Sequence, residues 1–481
     1  MEKHLLSKST FIRGSQCLKS LYLHKKRPFL RDPLSAEQRA KFSRGHDVGF
    51  LARQLFPGGI DMKPKAPSQY QKAVEKTSAY IISEKNGIIY EATFQFNRVL
   101  IMLDVLEIKD GKLYAYEVKS SKAISQTYLL DAALQYYVMS NAGFKPLDFE
   151  IIYIDQNYVH KGELALDKLF IFKPVLEEIL GKQHYVSSQI EKEKETLLLK
   201  HSPKIDIGEH CIHPYPCDFT GHCWKHLPDI SVFDLHFLSF EERMQLYTAG
   251  KANLADLSKE DLKTAESIEK LKSILEQSFY LDCAHIKEKI AKINPDRGFL
   301  HILLRRPAIP EFENTQPYQA IPFGIAYAFE SDGEKKAVAE LFEAQDDPFV
   351  SLTDHLKLLN DLKKDFIIFK QPGINEIIAH ILKTQQPGKD ISAFRYYDIS
   401  DFIRDFHFFR PGLKTDTGLE KIARFILKDK ISAKITSEIE AASLLNKLSV
   451  ANRAIIAEYQ QENLRILENF FDFLRKKCNI V

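Results

Sequence analysis

Hydrophobic and polar residues recur with different periods along the chain, and these periods predict strands in some segments and helices in others. Three short apolar or alternating runs cover residues 88–96, 98–108 and 112–121. Turn signals separate them at Asn97 and at Asp110, which precedes a glycine. The pattern predicts a three-stranded antiparallel meander.

Helical spacing of apolar residues predicts helices on both sides of this meander. Residues 1–60 are predicted to be mainly helical, and a further helix is predicted over 126–143, where it ends at a glycine. The run 148–154 predicts another strand, and 165–199 is predicted to be helical. This mixture indicates an α/β fold class.

A second set of strands and helices is predicted in the C-terminal part. Apolar runs at 299–304, 321–329 and 365–369 alternate with helical stretches, and an amphipathic helix is predicted near 450–477. A chain of 481 residues exceeds what one hydrophobic core usually supports. The predicted organisation is therefore an N-terminal domain, a helical connector and a C-terminal domain, at 1–230, 231–290 and 291–481.

The composition is that of an ordinary soluble globular protein. Hydrophobic residues make up 44% and charged residues 27%, and no apolar run is long enough to cross a bilayer. The first 30 residues contain several lysines and arginines but no continuous apolar stretch, so they do not resemble a secretory signal. A cytoplasmic protein without a membrane partner is expected.

Positive charge is concentrated near the start of the chain, although the formal net charge is only +2. Residues 1–44 contain many lysines and arginines against Glu2, Asp32 and Glu37. Such a cluster is typical of a surface that contacts a phosphate backbone, and equally of a solvated basic face.

Two carboxylates and a lysine are predicted to meet on the meander. Asp104 lies on its second strand and Glu117 on its third, both among apolar residues. Glu117 and Lys119 are two residues apart and project to the same face, with the Val118 carbonyl between them. Two carboxylates and a carbonyl suit Mg²⁺ or Mn²⁺. Since isolated charges among apolar neighbours are unfavourable, the set predicts a metal site with Lys119 as the catalytic lysine.

Other polar residues are weaker candidates for this site. Glu91 on the first strand is either a third carboxylate ligand or a partner in a salt bridge, and His46 is either an imidazole ligand or a helix-surface residue. Gln135 lies on the predicted helix after the meander, followed by Tyr136 and Tyr137. These side chains bind a phosphate or a base, or else complete the core.

The cysteines predict a second metal site. Cys211, Cys217 and Cys223 are close together in a segment rich in turn residues. The fourth ligand of a closed site is either Cys17 or a histidine of a Cys₃His zinc site. The candidate histidines are His210, His213, His222 and His226. Cys283 and Cys478 are predicted to be ordinary packing or surface residues, because six cysteines in a long chain of this type argue against a disulfide framework.

The order of these motifs resembles the RecB-like PD-(D/E)xK nucleases, including the CRISPR-associated exonucleases and the AddB nuclease domain. That order is an early cysteine, a helical histidine, an Asp, an E-x-K, a Q-x-x-x-Y-like helix and a three-cysteine cluster. It is matched by Cys17, His46, Asp104, Glu117 with Lys119, Gln135 with Tyr136 or Tyr137, and Cys211, Cys217 and Cys223. The resemblance covers roughly residues 1–230. The tyrosines here directly follow Gln135 instead of lying four residues on.

The resemblance implies a restriction-endonuclease-like mixed sheet flanked by helices. It also implies Mg²⁺- or Mn²⁺-dependent cleavage of DNA, often single-stranded, by an exonuclease. The four cysteines, Cys17 included, would bind a [4Fe–4S] cluster that joins the two ends of the domain, with Zn²⁺ as the alternative.

A second resemblance links roughly residues 230–420 to an uncharacterised bacterial group. In that group a RecB-like nuclease is fused to a ribonuclease-H-like, DEDD-type exonuclease domain. The first strand of such a domain carries an Asp-x-Glu pair, but here the matching run offers His301, Ile302 and Leu303. Asp398 matches a later acidic position, and one acid cannot hold two metals. The resemblance implies a degenerate exonuclease domain that binds DNA or a protein partner.

The function expected from the sequence is therefore that of a metal-dependent DNA nuclease. Water activated by the metal would hydrolyse the phosphodiester bond. The alternative is a catalytically inactive scaffold that binds nucleic acid.

Overall fold

The structure is a computed structural model that describes residues 3–343, 345–371, 373–384, 391–414, 417–445 and 449–480. The chain forms two compact units. The first contains Met1–Lys225 and Ala308–Tyr318, and the second contains His226–Pro307 and Gln319–Val481. The predicted boundary at 230 lies close to the division after Lys225, and the predicted connector 231–290 belongs to the second unit.

The first unit is a mixed sheet with helices. Its strands are β1 (Leu6–Ser7), β2 (Ile60–Asp61), β3 (Gly87–Phe96), β4 (Val99–Lys109), β5 (Lys112–Lys119), β6 (Asp148–Ile154) and β7 (Phe170–Pro174). Its helices are α1 (Lys8–Gln16), α2 (Leu18–Lys26), α3 (Ala36–Ala52), α4 (Tyr70–Ser83), α5 (Gln126–Asn141), α6 (Leu166–Leu169), α7 (Leu176–Leu180), α8 (Gln183–Leu198) and α9 (Thr220–Cys223).

The strand order is β2-β3-β4-β5-β6-β7, with β1 pairing in parallel to β4 beside this path. Strands β3, β4 and β5 are antiparallel, which confirms the predicted meander. Its turns place Asn97 and Arg98, and then Asp110 and Gly111, at positive φ, as two-residue hairpin turns require. Strand β6 then pairs in parallel with β5 after helix α5.

Helix α5 is buried along most of its length. Its buried residues cover several faces of the helix, which is typical of a helix enclosed by other elements. Among them are two polar side chains, Asp131 and Gln135. Helices α1, α2 and α8 contribute to the same core cluster, while α3 contributes Val48 and Ala52 to a second cluster with β4, β5 and β6. The sheet thus carries two apolar faces.

The second unit is also α/β. Its strands are β8 (Tyr280–Leu281), β9 (Arg297–Arg305), β10 (Ile321–Ser331), β11 (Glu334–Leu341), β12 (Asp365–Ile368), β13 (Arg395–Asp398) and β14 (Phe408–Phe409). Its helices are α10 (Phe240–Thr248), α11 (Ala265–Gln277), α12 (Cys283–Ile290), α13 (Pro348–Asp361), α14 (Ile374–Thr384), α15 (Asp401–Arg404), α16 (Leu419–Ile422), α17 (Glu438–Leu445) and α18 (Val450–Lys477). The order of the larger sheet is β11-β10-β9-β12-β13, antiparallel from β11 to β9 and parallel from β9 to β13.

Two expectations from the sequence are wrong. The segment 165–199, predicted to be helical throughout, contains strand β7, because Phe170–Pro174 finds a pairing partner in β6. Cys283 and Cys478 are not isolated but form a disulfide between the start of α12 and the residue after α18. Both features depend on contacts between distant segments, which local patterns do not reveal.

None of the helices in the part of the chain that the structure describes is long and apolar enough to span a membrane.

Helix α8 buries an acidic side chain, Glu193, against α1. The side chain of Glu193 is fully buried, and its Oε1 accepts a hydrogen bond of 3.1 Å from Gln189. Its Oε2 has no hydrogen-bond partner. A Cβ built on Gly14 would lie 2.4 Å from Glu193 Cδ, so α1 packs directly on this carboxyl. Burial raises the pKa of Glu193 to about 9, against the opposing effect of the Gln189 hydrogen bond.

We expect the substitution Glu193→Gln to remove a pH-dependent loss of stability. Between the ordinary pKa and the raised one, folding must take up a proton, so the stability of the parent falls as pH rises through this range. The decline is at most about 1.4 kcal/mol per pH unit. Thermal unfolding at several pH values should therefore show a gain in Tm for the variant that grows toward alkaline pH. Glu195→Gln, an exposed change on the same helix, is the control, and a gain independent of pH would contradict the assignment.

Candidate functional site

The hairpin of β4 and β5 brings the two predicted carboxylates together. Val105 pairs with Tyr116, so the next residues along the two strands, Asp104 and Glu117, lie opposite each other. Asp104 Oδ2 accepts a hydrogen bond of 2.7 Å from the backbone N–H of Val118. The side chains of Glu117 and Lys119 project to the same face, as their spacing predicts.

Glu117 is held by two lysines. Its carboxylate is 2% exposed, and its Oε1 lies 2.7 Å from Lys8 Nζ and 2.7 Å from Lys119 Nζ. The other oxygen, Oε2, is buried and has no hydrogen-bond partner. One carboxylate oxygen is therefore shared by two cations, while the second is available to a further ligand.

Helix α5 supplies the third side of the site. Lys119 Nζ lies 2.6 Å from Asp131 Oδ2 and 5.1 Å from the centre of the Tyr128 ring. Gln135, one turn after Asp131, is completely buried, and neither of its amide atoms has a hydrogen-bond partner. Asp131 Oδ1 is also buried without a partner. Because buried polar atoms are rarely left unsatisfied, this cluster is suited to receive a polar ligand.

The charges at the site shift each other's pKa. Burial raises the pKa of Asp104, and the nearby Glu117 carboxylate raises it further, against Lys8, Lys119 and the Val118 N–H. Burial alone would also raise the pKa of Glu117, but the two ammonium groups hold it well below its ordinary value. The carboxylates in turn raise the pKa of both lysines above the ordinary value, although burial opposes this. Glu117 and the lysines are thus charged at neutral pH, and Asp104 is the carboxylate that most readily takes up a proton.

In the described residues, two other predicted ligands form no hydrogen bond with this pair, although Glu91 stands opposite Asp104 between the paired residues of β3 and β4. Glu91 has a left-handed φ in the middle of β3, and its Oε1 binds Arg53 at 2.9 Å and Lys63 at 3.5 Å. Its carboxylate is therefore in a salt bridge. His46 is exposed on α3, and the structure gives it no hydrogen bond to Asp104 or Glu117.

The tyrosines after Gln135 belong to the core of the first unit. Tyr136 is buried in the core cluster, and the ring of Tyr137 packs edge-on against Phe96 with centroids 5.9 Å apart. Of the three neighbouring residues, only Gln135 has buried polar atoms without partners.

Lys8 and Asp131 complete the site but were not predicted from the sequence. Lys8 is the first residue of α1, immediately after β1, and β1 lies beside β4. Asp131 is an acid in the otherwise apolar run LLDAAL, four residues before Gln135. That spacing places both on one face of the helix and was the available signal for Asp131. No local pattern connects Lys8 to Glu117, which lies 109 residues later.

Within the described residues, no three His, Cys, Asp or Glu side chains are arranged as a ready cation site. The donor set nevertheless fits a hard divalent cation. Asp104 and Glu117 supply carboxylate oxygens from neighbouring strands, and Glu117 Oε2 has no hydrogen-bond partner.

The four predicted cysteine ligands line one pocket. Cys17 lies between α1 and α2, and Cys211, Cys217 and Cys223 lie in the segment that ends with α9. None of the four is in a disulfide. Of the candidate histidines, His210 lines the same pocket. Burial raises the pKa of the thiols of Cys17, Cys217 and Cys223, and Cys211 adds to this effect in all three. A metal ion at this pocket would favour their deprotonation.

Hydrogen bonds and ion pairs already join the two ends of the first unit around this pocket. The guanidinium of Arg13 binds both carboxylate oxygens of Asp218. Gln16 Nε2 donates to the carbonyls of His210 and Tyr215 at 2.8 and 2.7 Å. The N-terminal helices and the cysteine segment are therefore held together by contacts independent of a metal.

In the second unit, the position expected for an acidic pair holds His301 on β9. Its Nε2 lies 3.3 Å from Asn463 Nδ2 and 3.5 Å from Glu438 Oε1. Asp398, at the end of β13, accepts hydrogen bonds from the backbone N–H groups of Lys370 and Ser400. Asp398 therefore has a structural role in the turn that follows β12.

Comparison with protein-family models finds no match for the chain, and no match is found among curated proteins.

The pocket of four cysteines leads to a prediction about metal content. We expect the full chain to carry iron or zinc, and the substitution Cys211→Ser to remove most of it and to lower the Tm, since the metal would close a loop of almost two hundred residues. Elemental analysis and visible absorption of the purified protein measure the loss and distinguish an iron–sulfur cluster from zinc. Cys283→Ser, which alters a cysteine of the second unit, should retain the metal. Full metal content in Cys211→Ser would contradict the prediction.

Proposed function

We propose that this chain is a metal-dependent deoxyribonuclease, an enzyme that hydrolyses phosphodiester bonds by metal-activated water. The observation that carries the proposal is the meeting of Asp104, Glu117 and Lys119 on one hairpin, with a buried Glu117 oxygen that has no partner. Buried charges of this density are unfavourable unless they are paired or bind a ligand. Their arrangement is suited to phosphoryl chemistry.

The fold proposed for the first unit is restriction-endonuclease-like. What supports it is an antiparallel meander that carries the acids, followed by the buried helix α5 and the parallel strand β6. For the second unit we propose a ribonuclease-H-like fold, supported by three antiparallel strands followed by two parallel ones. The resemblances of the sequence point to the same two folds.

Asp104, Glu117 and the Val118 carbonyl would hold Mg²⁺ or Mn²⁺. Such a cation lowers the pKa of a bound water and neutralises charge on the scissile phosphate. The ammonium groups of Lys8 and Lys119 remain on Oε1 of Glu117, so the free oxygen Oε2 can serve a ligand without breaking either pair.

The other side chains orient and stabilise the reacting groups. Asp131 and Glu117 together fix the ammonium of Lys119, whose positive charge can stabilise the developing charge on the phosphate. Lys8 places a second positive charge at the same carboxylate. The buried amide of Gln135 can donate and accept hydrogen bonds, which suits it to hold a water or a phosphate oxygen.

The cysteine pocket has a structural role in this proposal. A [4Fe–4S] cluster, or alternatively Zn²⁺, bound by Cys17 and the three later cysteines would reinforce the closure of the nuclease domain. The entropy model assigns a cross-link across so long a loop on the order of 5 kcal/mol. The second unit, with His301 where an acid pair is expected, would bind DNA or a protein partner without catalysis.

We expect the substitution Glu117→Gln to reduce cleavage by on the order of a hundredfold or more, because it removes the charged ligand that both lysines bind. The measurement is degradation of end-labelled single- and double-stranded DNA with Mg²⁺ or Mn²⁺. Glu107→Gln is the matched control. Glu107 lies on the face of β4 opposite to Asp104, where it accepts a hydrogen bond from Tyr116. Its activity should equal that of the parent.

Two results would contradict the proposal. Equal cleavage by the parent and Glu117→Gln would show that the site lies elsewhere. Absence of cleavage by a metal-replete parent would favour the alternative of a nucleic-acid-binding scaffold without catalysis.

A further inference from the structure

A distant segment of the chain is part of the first unit. Residues 226–307 separate Ala308–Tyr318 from the rest of that unit in the sequence. Ala308 is buried in the cluster formed by α3, β4, β5 and β6, and Ile309 and Tyr318 pack against it. Backbone hydrogen bonds of 2.8 and 2.9 Å join Asn314 and Thr315 to His160. The segment is therefore held in place by specific contacts.

Tyr318, the last residue of this segment, reaches the end of the strand that carries Lys119. Its hydroxyl donates a hydrogen bond of 2.6 Å to the carbonyl of Ser120, the residue directly after Lys119. The backbone of Tyr318 has a φ of 62°, a left-handed conformation that bulky side chains rarely adopt. Strain of this kind persists only where surrounding contacts impose it, and it is concentrated at functional positions. The hydroxyl is thus held at the end of β5, one residue after the proposed catalytic lysine.

Two cations accompany the Tyr318 ring. Lys122 Nζ lies 5.8 Å from the ring centre. Burial raises the pKa of Tyr318, and the positive charge of Arg44 on α3 opposes this rise. A Cβ built on Gly45, the next residue of α3, would lie 3.9 Å from Ser120 Oγ, so Arg44 is at the same end of β5 as the Tyr318 hydroxyl. In the described part of the chain, neither Lys122 nor Arg44 forms an ion pair with a carboxylate. In contrast, Lys119 is bound to both Glu117 and Asp131.

An aromatic ring fixed next to cations that have no carboxylate partner is suited to bind a nucleotide that is not base-paired. A base can stack on a tyrosine ring whatever its sequence, and lysine or arginine binds the adjoining phosphate. A base in a duplex is already stacked on its neighbours, so the ring favours a single strand. Because Ser120 directly follows Lys119, a nucleotide bound to this ring would lie at the end of the strand that carries the candidate site.

We propose that Tyr318, Lys122 and Arg44 form a subsite that binds the nucleotide next to the scissile phosphodiester of single-stranded DNA. The inference rests on the proposed function for the identity of the ligand. It assigns the aromatic contact to a residue that lies almost two hundred positions after Lys119 in the chain. Tyr318 binds substrate through its ring, and its hydroxyl holds that ring in place.

The test measures binding and cleavage separately. Binding of a fluorescent single-stranded oligothymidylate and of a blunt duplex is followed by anisotropy at several salt concentrations, in the full chain carrying Glu117→Gln. Lys122→Gln and Arg44→Gln should each weaken binding of the single strand about threefold to tenfold and lower the salt slope by about one. Tyr318→Leu should weaken it roughly fivefold or more, and the duplex less. Tyr318→Phe keeps the ring and should bind nearly as well as the parent.

The matched control is Lys112→Gln, at the opposite end of β5 and roughly 23 Å from Lys119. It should leave both affinity and salt slope unchanged, and thermal unfolding verifies that each variant is folded. In the otherwise unchanged chain, the subsite variants should raise KM for single-stranded DNA and leave kcat within about twofold.

The two proposals can fail independently. If the parent cleaves DNA but the three subsite variants bind and cleave as it does, the subsite is overturned and the nuclease stands. If the parent does not cleave, the nuclease proposal fails, and the anisotropy still decides the subsite. Weaker binding of the single strand by Tyr318→Leu, Lys122→Gln and Arg44→Gln supports the subsite, and unchanged binding overturns it.

Discussion

The buried carboxylate of Glu117 is the interaction on which the first unit's candidate site depends. An ionised carboxylate removed from water is stable only when opposite charges and hydrogen bonds compensate for its lost hydration. Lys8 and Lys119 provide that compensation, and Asp131 binds Lys119 in turn. The four residues come from α1, β5 and α5, so satisfying one charge fixes the relative positions of three elements.

Long-range closure is the second constraint on the first unit. The N-terminal helices contact the cysteine segment through the ion pair of Arg13 with Asp218 and through the hydrogen bond that Gln16 donates to the carbonyl of His210. The segment 308–318 is attached to the same unit by backbone hydrogen bonds and by the hydroxyl of Tyr318. Residues from the beginning, middle and later part of the chain are therefore joined in one unit.

Local patterns predicted most of the elements around the candidate site. The meander, helix α5 and strand β6 were predicted because each has a clear period of two or 3.6 residues and a turn or glycine at its end. The proximity of Asp104, Glu117 and Lys119 also followed, since strand pairing and alternation determine it. Strand β7 was missed because its extended form depends on pairing with β6 rather than on its own sequence.

The sequence by itself thus determined the α/β class, the hairpin with its acids and lysine, and the four cysteines that line one pocket. Only the tertiary structure decided that Lys8 shares an oxygen of Glu117, that Glu91 binds Arg53 and Lys63, and that Tyr318 lies beside Ser120. The physical reason is that periodicity encodes contacts between near neighbours in the chain. Contacts between distant residues form because buried charges and polar groups need partners. Which partners they meet depends on how the whole unit packs.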